Sequence, residues 1–218
     1  MAIGTDVKLI EYSRGVDTAN CLTHAVGAVL AAAGAVLLVI RSQGGRSLAS
    51  ALIYGLSLMA VYTASAVYHG LKNGEAKRIA RLVDHSAIPV LIAGTATPCA
   101  LITLYEVSSL HSVTVFLIAW GCTVFGLVSK LFFFEKLRKV TVAVYIFSCI
   151  AMLLCAVPLL DEIKSEAFFG ILLGNVAYLV GGGFCALGIK REKFHVVFHL
   201  FVLLGSAVHY AIIYIFMY

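Results

Sequence analysis

The chain has 218 residues, of which 61% are hydrophobic and only 12% are charged, and its mean hydropathy is +1.00. Soluble globular domains carry about 25% charged residues, so this composition excludes an ordinary soluble protein. The net charge of +5 does not require a nucleic-acid partner, because the placement of the basic residues along a membrane chain accounts for it. The sequence therefore predicts an integral membrane protein.

Seven long runs without Asp, Glu, Lys or Arg define the predicted elements. Each run exceeds the ~20 residues that an α-helix needs to cross a bilayer. In chain order the runs are 18–40, 47–71, 85–105, 107–129, 140–160, 167–189 and 194–218. We extend the third span to 82–105 so that it includes Asp84. The connections are short, and a barrel would instead show alternating segments of roughly ten residues, so we predict an all-α, seven-transmembrane helix bundle that forms a single domain over residues 1–218.

Small residues and cysteines inside the runs indicate packing. Gly27, Ala31 and Gly34 in the first span, and the triple glycine 181–183 in the sixth, predict close contacts between helices. The six cysteines all lie in apolar runs without CxxC spacing. We therefore expect neither a disulfide framework nor a zinc knuckle.

The basic residues predict the orientation of the bundle. If the N-terminus is cytoplasmic, the inner segments hold 13 Lys and Arg residues and the outer segments only three, which are Arg41, Arg46 and Lys164. The positive-inside rule then favours an inner N-terminus and an outer C-terminus. The segment before the first span has a net charge of −1 rather than the basic character of a signal peptide, so we expect that span to be retained.

This orientation brings several polar residues to one membrane face. The second span would end at the inner face with Ser65 and His69, and the third and seventh spans would begin there with Asp84, His195 and His199. With a rise of 1.5 Å per residue, the histidines and the aspartate lie within roughly 10 Å of the cytoplasmic boundary. Both Ser65–His69 and His195–His199 are spaced i, i+4, so each pair projects from one helical face.

The chemistry of these residues fits a zinc site. Two imidazoles at i, i+4 can bind one metal ion, and His69 would supply a third. Three neutral imidazoles with water in the fourth position form the open, catalytic type of zinc site, in which the pKa of the bound water falls to about 7. Asp84 would hold this water or act as general base toward it, and the Ser65 hydroxyl would bond the carboxylate or an incoming carbonyl.

Structural roles also explain these residues, and they remain open at this point. Histidines at a membrane interface can bridge to water or headgroups, Asp84 can cap a helix N-terminus, and Ser65 can bond the carbonyl one turn earlier. Ionisable residues within membranes nevertheless favour a functional site. His24, near the start of the first span, is a candidate for a supporting role beside the ligands. The weaker candidates on other faces or at other depths are His85, His111 and His209.

Four stretches carry a resemblance to a known family: TANCLTHAVG at 18–27, SAVYHG at 65–70, RLVDHSAIPVLIAGTATP at 81–98 and HVVFH at 195–199. In their combination and order they resemble the hemolysin III family, the bacterial branch of the progesterone and adiponectin receptor family, over essentially the whole chain. The resemblance implies seven helices with a cytoplasmic N-terminus. By matching position, it also implies a zinc ion held by His69, His195 and His199, with Asp84 reaching the zinc through a water and Ser65 nearby.

The resemblance also suggests an activity. The wider superfamily includes ceramide-cleaving enzymes, which implies zinc-dependent hydrolysis of a lipid amide or ester bond, with membrane lipids or a fatty acid as ligand. A second hypothesis is a receptor-like or membrane-homeostasis protein with a structural zinc, although the chain lacks the long soluble N-terminal region of the eukaryotic receptors. A third, a pore-forming hemolysin, is disfavoured because seven apolar spans must be inserted during synthesis. The bacterial plasma membrane is the expected location.

Overall fold

The computed structural model describes residue 4 and residues 6–218, and these residues form helices with short connections and no strand. Seven helices are long and apolar enough to cross a membrane. They are α1 (Arg14–Arg41), α2 (Gly45–Gly70), α3 (Glu75–Val107), α4 (Ser109–Phe132), α5 (Arg138–Leu159), α6 (Ser165–Gly188) and α7 (Lys193–Phe216). The prediction of an all-α membrane protein with seven spanning helices is confirmed.

The third helix differs most from its apolar run. α3 begins at Glu75, ahead of the expected start at residue 82. Its first turns carry Lys77 and Arg81, which are only 1% and 3% exposed. A search for uncharged runs assigns such cations to a loop, whereas here they lie inside the bundle and are paired with carboxylates.

The helices pack mainly against their neighbours in sequence. α1 packs on α2, α2 on α3, α3 on α4 and α4 on α5, while α7 packs on both α6 and α1. Aromatic and aliphatic side chains fill the main core, among them Leu38, Tyr54, Leu58, Tyr62, Leu91 and Ile213. Large apolar side chains such as Val29 and Ile40 also cover the outer surface, as expected where the surroundings are lipid.

The predicted close contacts at small residues hold in α1. A Cβ atom added at Gly27 would lie 2.8 Å from both Leu203 and Tyr62, and Gly34 packs equally closely on Tyr210. Of the triple glycine in α6, only Gly181 faces α7, whereas a Cβ at either of the next two glycines would meet nothing within 4 Å. The expectation is therefore wrong for Gly182 and Gly183, because successive residues point about 100° apart around a helix.

Alternation of the helices gathers the polar groups of interest at one end of the bundle. The start of α1, the end of α2 and the starts of α3 and α7 lie together there, and we call this the histidine end. The opposite end carries an exposed ion pair between Arg46 and Glu106, 3.2 Å apart, and a hydrogen bond from the Tyr218 hydroxyl to the Ser47 carbonyl. That the histidine end faces the cytoplasm stays a prediction.

Candidate metal centre

Three imidazoles meet at the histidine end. His69 lies in the last turn of α2, and His195 and His199 lie on the first turns of α7. One ligand nitrogen from each ring lies within 4.8 Å of the other two, and the ring centroids are 4.9–5.4 Å apart. Nitrogens bound to one zinc at 2.0–2.1 Å are about 3.3 Å apart, so small side-chain rotations would bring all three onto a single ion. We call these residues the histidine triad.

The surroundings of the triad fit a bound metal ion. His69 Nδ1 lies 2.8 Å from Asp17 Oδ1, which leaves Nε2 as the free nitrogen of that ring. Both His69 Nε2 and His199 Nδ1 are buried and have no hydrogen-bond partner in the described part of the chain. Buried polar atoms nearly always have a partner. Unpartnered nitrogens on two adjacent rings are therefore available as ligand atoms, and neutral imidazole is a donor that zinc accepts.

Asp17, in the first turn of α1, links the triad to α3. While its Oδ1 faces His69, its Oδ2 lies 2.6 Å from Lys77 Nζ. The two carboxylate oxygens are thus each engaged by one partner. In the sequence, Asp17 counts only as a charge before the first span, and Lys77 only as one of the inner basic residues.

Ser65 and Asp84 form a second polar pair, one helical turn from His69. Ser65 is buried on α2, and its side chain neighbours the Asp84 carboxyl. Asp84 lies well inside α3, whose N-cap is Gly74, so the capping alternative is wrong. It is not among the groups with a ligand atom within 4.8 Å of the triad, and its link to a metal through water stays a prediction.

Two aromatic rings hold the α7 histidines in place. His24 of α1 stacks on His199 with ring centroids 3.8 Å apart and planes inclined by 28°. Tyr12 stacks on His195 at 4.9 Å and 22°. The neighbouring Asn20 is fully buried, and its amide nitrogen lies 3.5 Å from His69 Nδ1.

The segment of residues 6–13 closes the histidine end. The Asp6 carboxylate accepts hydrogen bonds from two backbone N–H groups of the α4–α5 connection, at 3.1 and 3.0 Å. The Ser13 backbone N–H donates to Glu192 Oε2 at 2.6 Å, and this bond lowers the pKa of the Glu192 carboxyl below its usual value. Between these anchors, burial raises the pKa of the Tyr12 phenol. The segment therefore covers the triad with a neutral aromatic side chain.

The remaining histidines have other neighbours. His85 packs edge to face on Phe134, with centroids 4.9 Å apart. His111 lies at the opposite end of the bundle, where Nδ1 is 2.8 Å from the Ser108 hydroxyl. His209 Nε2 bonds a backbone carbonyl of α6 at 3.0 Å. Among the described residues, none of them belongs to the group of three histidines that could hold a metal ion.

Sequence reasoning missed four residues of the centre, which are Tyr12, Asp17, Asn20 and Lys77. A signal was present for two of them, because Asp17 and Asn20 are spaced i, i+3 and i+7 with His24 and therefore lie on one face of α1. No local pattern marks the other two. Their contacts join segments far apart in the sequence.

The chain matches known proteins over most of its length. The family model for Haemolysin-III related proteins matches residues 12–210, a range that includes the histidine triad, Ser65 and Asp84. Hemolysin-3 of Bacillus cereus is 33% identical over 195 residues, which cover 88% of this chain and 87% of that protein. The Hemolysin-3 homolog of Bacillus subtilis (strain 168) is 32% identical over 194 residues, or 88% and 89% of the two chains. The human monocyte to macrophage differentiation factor is 26% identical over 205 residues, or 92% and 84%.

Proposed function

This chain belongs to the hemolysin III family, and we propose that it is a zinc-dependent hydrolase of a lipid amide or ester bond at the cytoplasmic leaflet. It is an integral membrane protein, and its bacterial relatives support the plasma membrane as its location. The observation that carries the proposal is the histidine triad with its two unpartnered, buried nitrogens. The superfamily's ceramide-cleaving members supply the reaction class.

The triad would hold the zinc. His69 would bind through Nε2, because Asp17 occupies its Nδ1, and the two α7 histidines would complete three protein ligands. When bound, zinc supplies a Lewis acid and lowers the pKa of a coordinated water to about 7. The remaining chemistry falls to residues of the chain.

Asp84 is the proposed general base and acid. Its carboxylate would accept the proton of the attacking water and then deliver it to the leaving amine or alkoxide of the lipid. The Ser65 hydroxyl beside it would donate a hydrogen bond that orients the carboxylate or the substrate carbonyl. In hydrolysis the C–N or C–O bond breaks, and the water supplies the hydroxyl of the acid and the hydrogen of the leaving group.

The outer surface near this pair offers room for an acyl chain. A groove of about 640 Å³ runs between α2 and α3. Its walls are small and aliphatic side chains: Ala60, Thr63, Ala64, Val67, Leu71, Ala76, Ile79, Ala80 and Val83. Ser65 and Asp84 do not line the groove themselves, but their neighbours in the sequence, Ala64 and Val83, do.

A second candidate is a structural zinc in a receptor-like or membrane-homeostasis protein. The observation that favours it is the cover over the triad, where Tyr12 stacks on His195. No carboxylate joins the three ligand atoms in the described residues. A zinc in that role would stabilise the bundle by linking α2 to α7.

Asp84→Asn separates the two candidates. The substitution keeps the size of the side chain but removes the base, so we expect a hydrolase to lose 10²–10⁴-fold in rate while most of the zinc remains. The measurement is fatty-acid release from ceramides, phospholipids and acyl amides by wild type and variant, with zinc content determined on the same preparations. Unchanged release at full zinc occupancy would rule out Asp84 as the base.

Two controls complete this experiment. Wild-type protein that releases no product from any of the three lipid classes would leave the structural zinc as the better account. Lysis of dye-loaded liposomes by the purified protein would instead support the third candidate, a pore-forming hemolysin.

A further inference from the structure

We propose that Asp17, held by Lys77, is the positioning residue that fixes the tautomer of His69 and turns its Nε2 toward the triad. The proposal rests on the proposed zinc site and adds to it a role for two residues outside the ligand set. Three helices take part, because Asp17 lies on α1, His69 on α2 and Lys77 on α3.

The geometry assigns one partner to each carboxylate oxygen. Oδ1 of Asp17 lies 2.8 Å from His69 Nδ1, and Oδ2 lies 2.6 Å from Lys77 Nζ. An ionised carboxylate only accepts hydrogen bonds. The Nδ1 atom of His69 must therefore carry the hydrogen in this contact, which leaves the lone pair on Nε2.

Because Lys77 is buried, its charge needs the Asp17 carboxylate as a partner. The side chains of Lys77 and His69 are 1% and 0% exposed, and that of Asp17 is 17% exposed. An unpaired ammonium at this position would be costly, since removal of one partner from a buried ion pair leaves an uncompensated charge. The Lys77 ammonium is thus paired with the same carboxylate that contacts His69.

Asn20 is the competing partner for the same nitrogen. Its amide nitrogen is 3.5 Å from His69 Nδ1, at the limit of hydrogen bonding. The Asp17 carboxylate oxygen is closer to the same nitrogen, at 2.8 Å. A charged acceptor at the shorter distance forms the stronger bond. Asp17 therefore fixes the orientation of the His69 ring, and the unpartnered Nε2 is the nitrogen that would bind the metal ion.

Carboxylates that orient metal-bound histidines affect metal affinity measurably. Loss of such a partner typically costs 10–100-fold in affinity. The sharpest variant is the double change Asp17→Asn with Lys77→Met, because it removes both charges together and leaves no buried ion unpaired. The matched control is Glu106→Gln, which removes the carboxylate of the exposed Arg46–Glu106 pair at the other end of the bundle.

The first readout is zinc affinity of the purified, metal-free protein, measured by competition with a chelator. We expect the double variant to bind zinc 10–100-fold more weakly than wild type, with an unchanged thermal midpoint in the metal-free state, and Glu106→Gln to match wild type. Wild-type affinity in the double variant would overturn the proposal. In Asp17→Asn alone, the buried Lys77 ammonium would lose its partner and destabilise the protein. The double variant avoids this effect because it also removes the ammonium.

The second readout does not need zinc. Ring ¹⁵N spectra of metal-free protein labelled at histidine report the tautomer of His69, whose signals are assigned by their loss in His69→Asn. We expect hydrogen on Nδ1 in wild type and a mixture of tautomers in the double variant. Hydrogen on Nε2 in wild type would overturn the inference even if zinc binds, whereas wild type that binds no zinc but shows the Nδ1–H form would contradict only the proposed zinc site.

Discussion

Four imidazoles form one cluster: the triad rings contact one another, and His24 stacks on His199, with centroid separations from 3.8 Å between His24 and His199 to 5.4 Å between His69 and His195. Charges this close repel strongly in a weakly polar environment, so the cluster as a whole favours neutral rings. Neutral imidazole is also the form that binds metals. The arrangement thus suits an ion held among the rings better than a set of positively charged side chains.

At the scale of residues, the sequence identifies ligands more readily than their supports. The i, i+4 spacing of His195 and His199 is visible in the five letters HVVFH, and alternation of the spans brings His69 to the same end. Asp17 and Lys77 escape detection because a charge near the end of an apolar run is ordinarily assigned to solvent. Their role follows only from contacts across three helices.

Among the elements, the contact between α2 and α3 aligns the Ser65–Asp84 pair. The two helices are in close contact where Gly94 faces Ser57, since a Cβ atom added at Gly94 would lie 2.6 Å from Ser57 Cβ. The serine Cβ is fixed to its helix and cannot move away as the end of a long side chain can. This glycine therefore sets the distance between the helices that carry the proposed base and its hydroxyl partner.

We expect Gly94→Ala to destabilise the protein by about 1–3 kcal/mol, because overpacking at a tight contact forces the backbones apart. Gly182→Ala is the matched control, as a Cβ there meets nothing within 4 Å and alanine favours the helix. The measurement is the thermal midpoint in detergent. A midpoint for Gly94→Ala at or above that of Gly182→Ala would contradict the close packing of α2 on α3.

The number of helices could be predicted because a bilayer imposes a minimum length on each span. Their ends could not, as α3 shows most clearly. Its first turns contain Lys77 and Arg81, which a hydropathy count excludes from the span, yet both are buried in the bundle. Charged residues that are paired across helices make hydropathy a poor guide to helix starts.

For the molecule as a whole, the basic residues predict which end of the bundle faces the cytoplasm. Of the 13 Lys and Arg residues assigned to the inner side, three are buried, which are Lys77, Arg81 and Lys130. Leaving those three out still gives ten against three. The asymmetry therefore does not depend on residues that serve inside the bundle.

A reporter fused after Tyr218 should accordingly be exported, and one inserted within 133–137, the α4–α5 connection at the histidine end, should remain in the cytoplasm. Alkaline phosphatase and a fluorescent protein are suitable reporters, because one is active only outside and the other folds poorly there. A C-terminal reporter found inside would reverse the orientation. It would also remove the histidine end from the cytoplasmic leaflet.

The zinc content of purified protein tests the central claim most directly. Three imidazoles that converge on one ion predict about one zinc per chain, with most of it lost in His195→Ala and in His199→Ala. His111→Ala should retain it, because that ring lies at the opposite end of the bundle beside Ser108. Equal zinc in all three variants, or wild-type protein that takes up no zinc when supplied with it, would contradict the assignment of the triad as a metal centre.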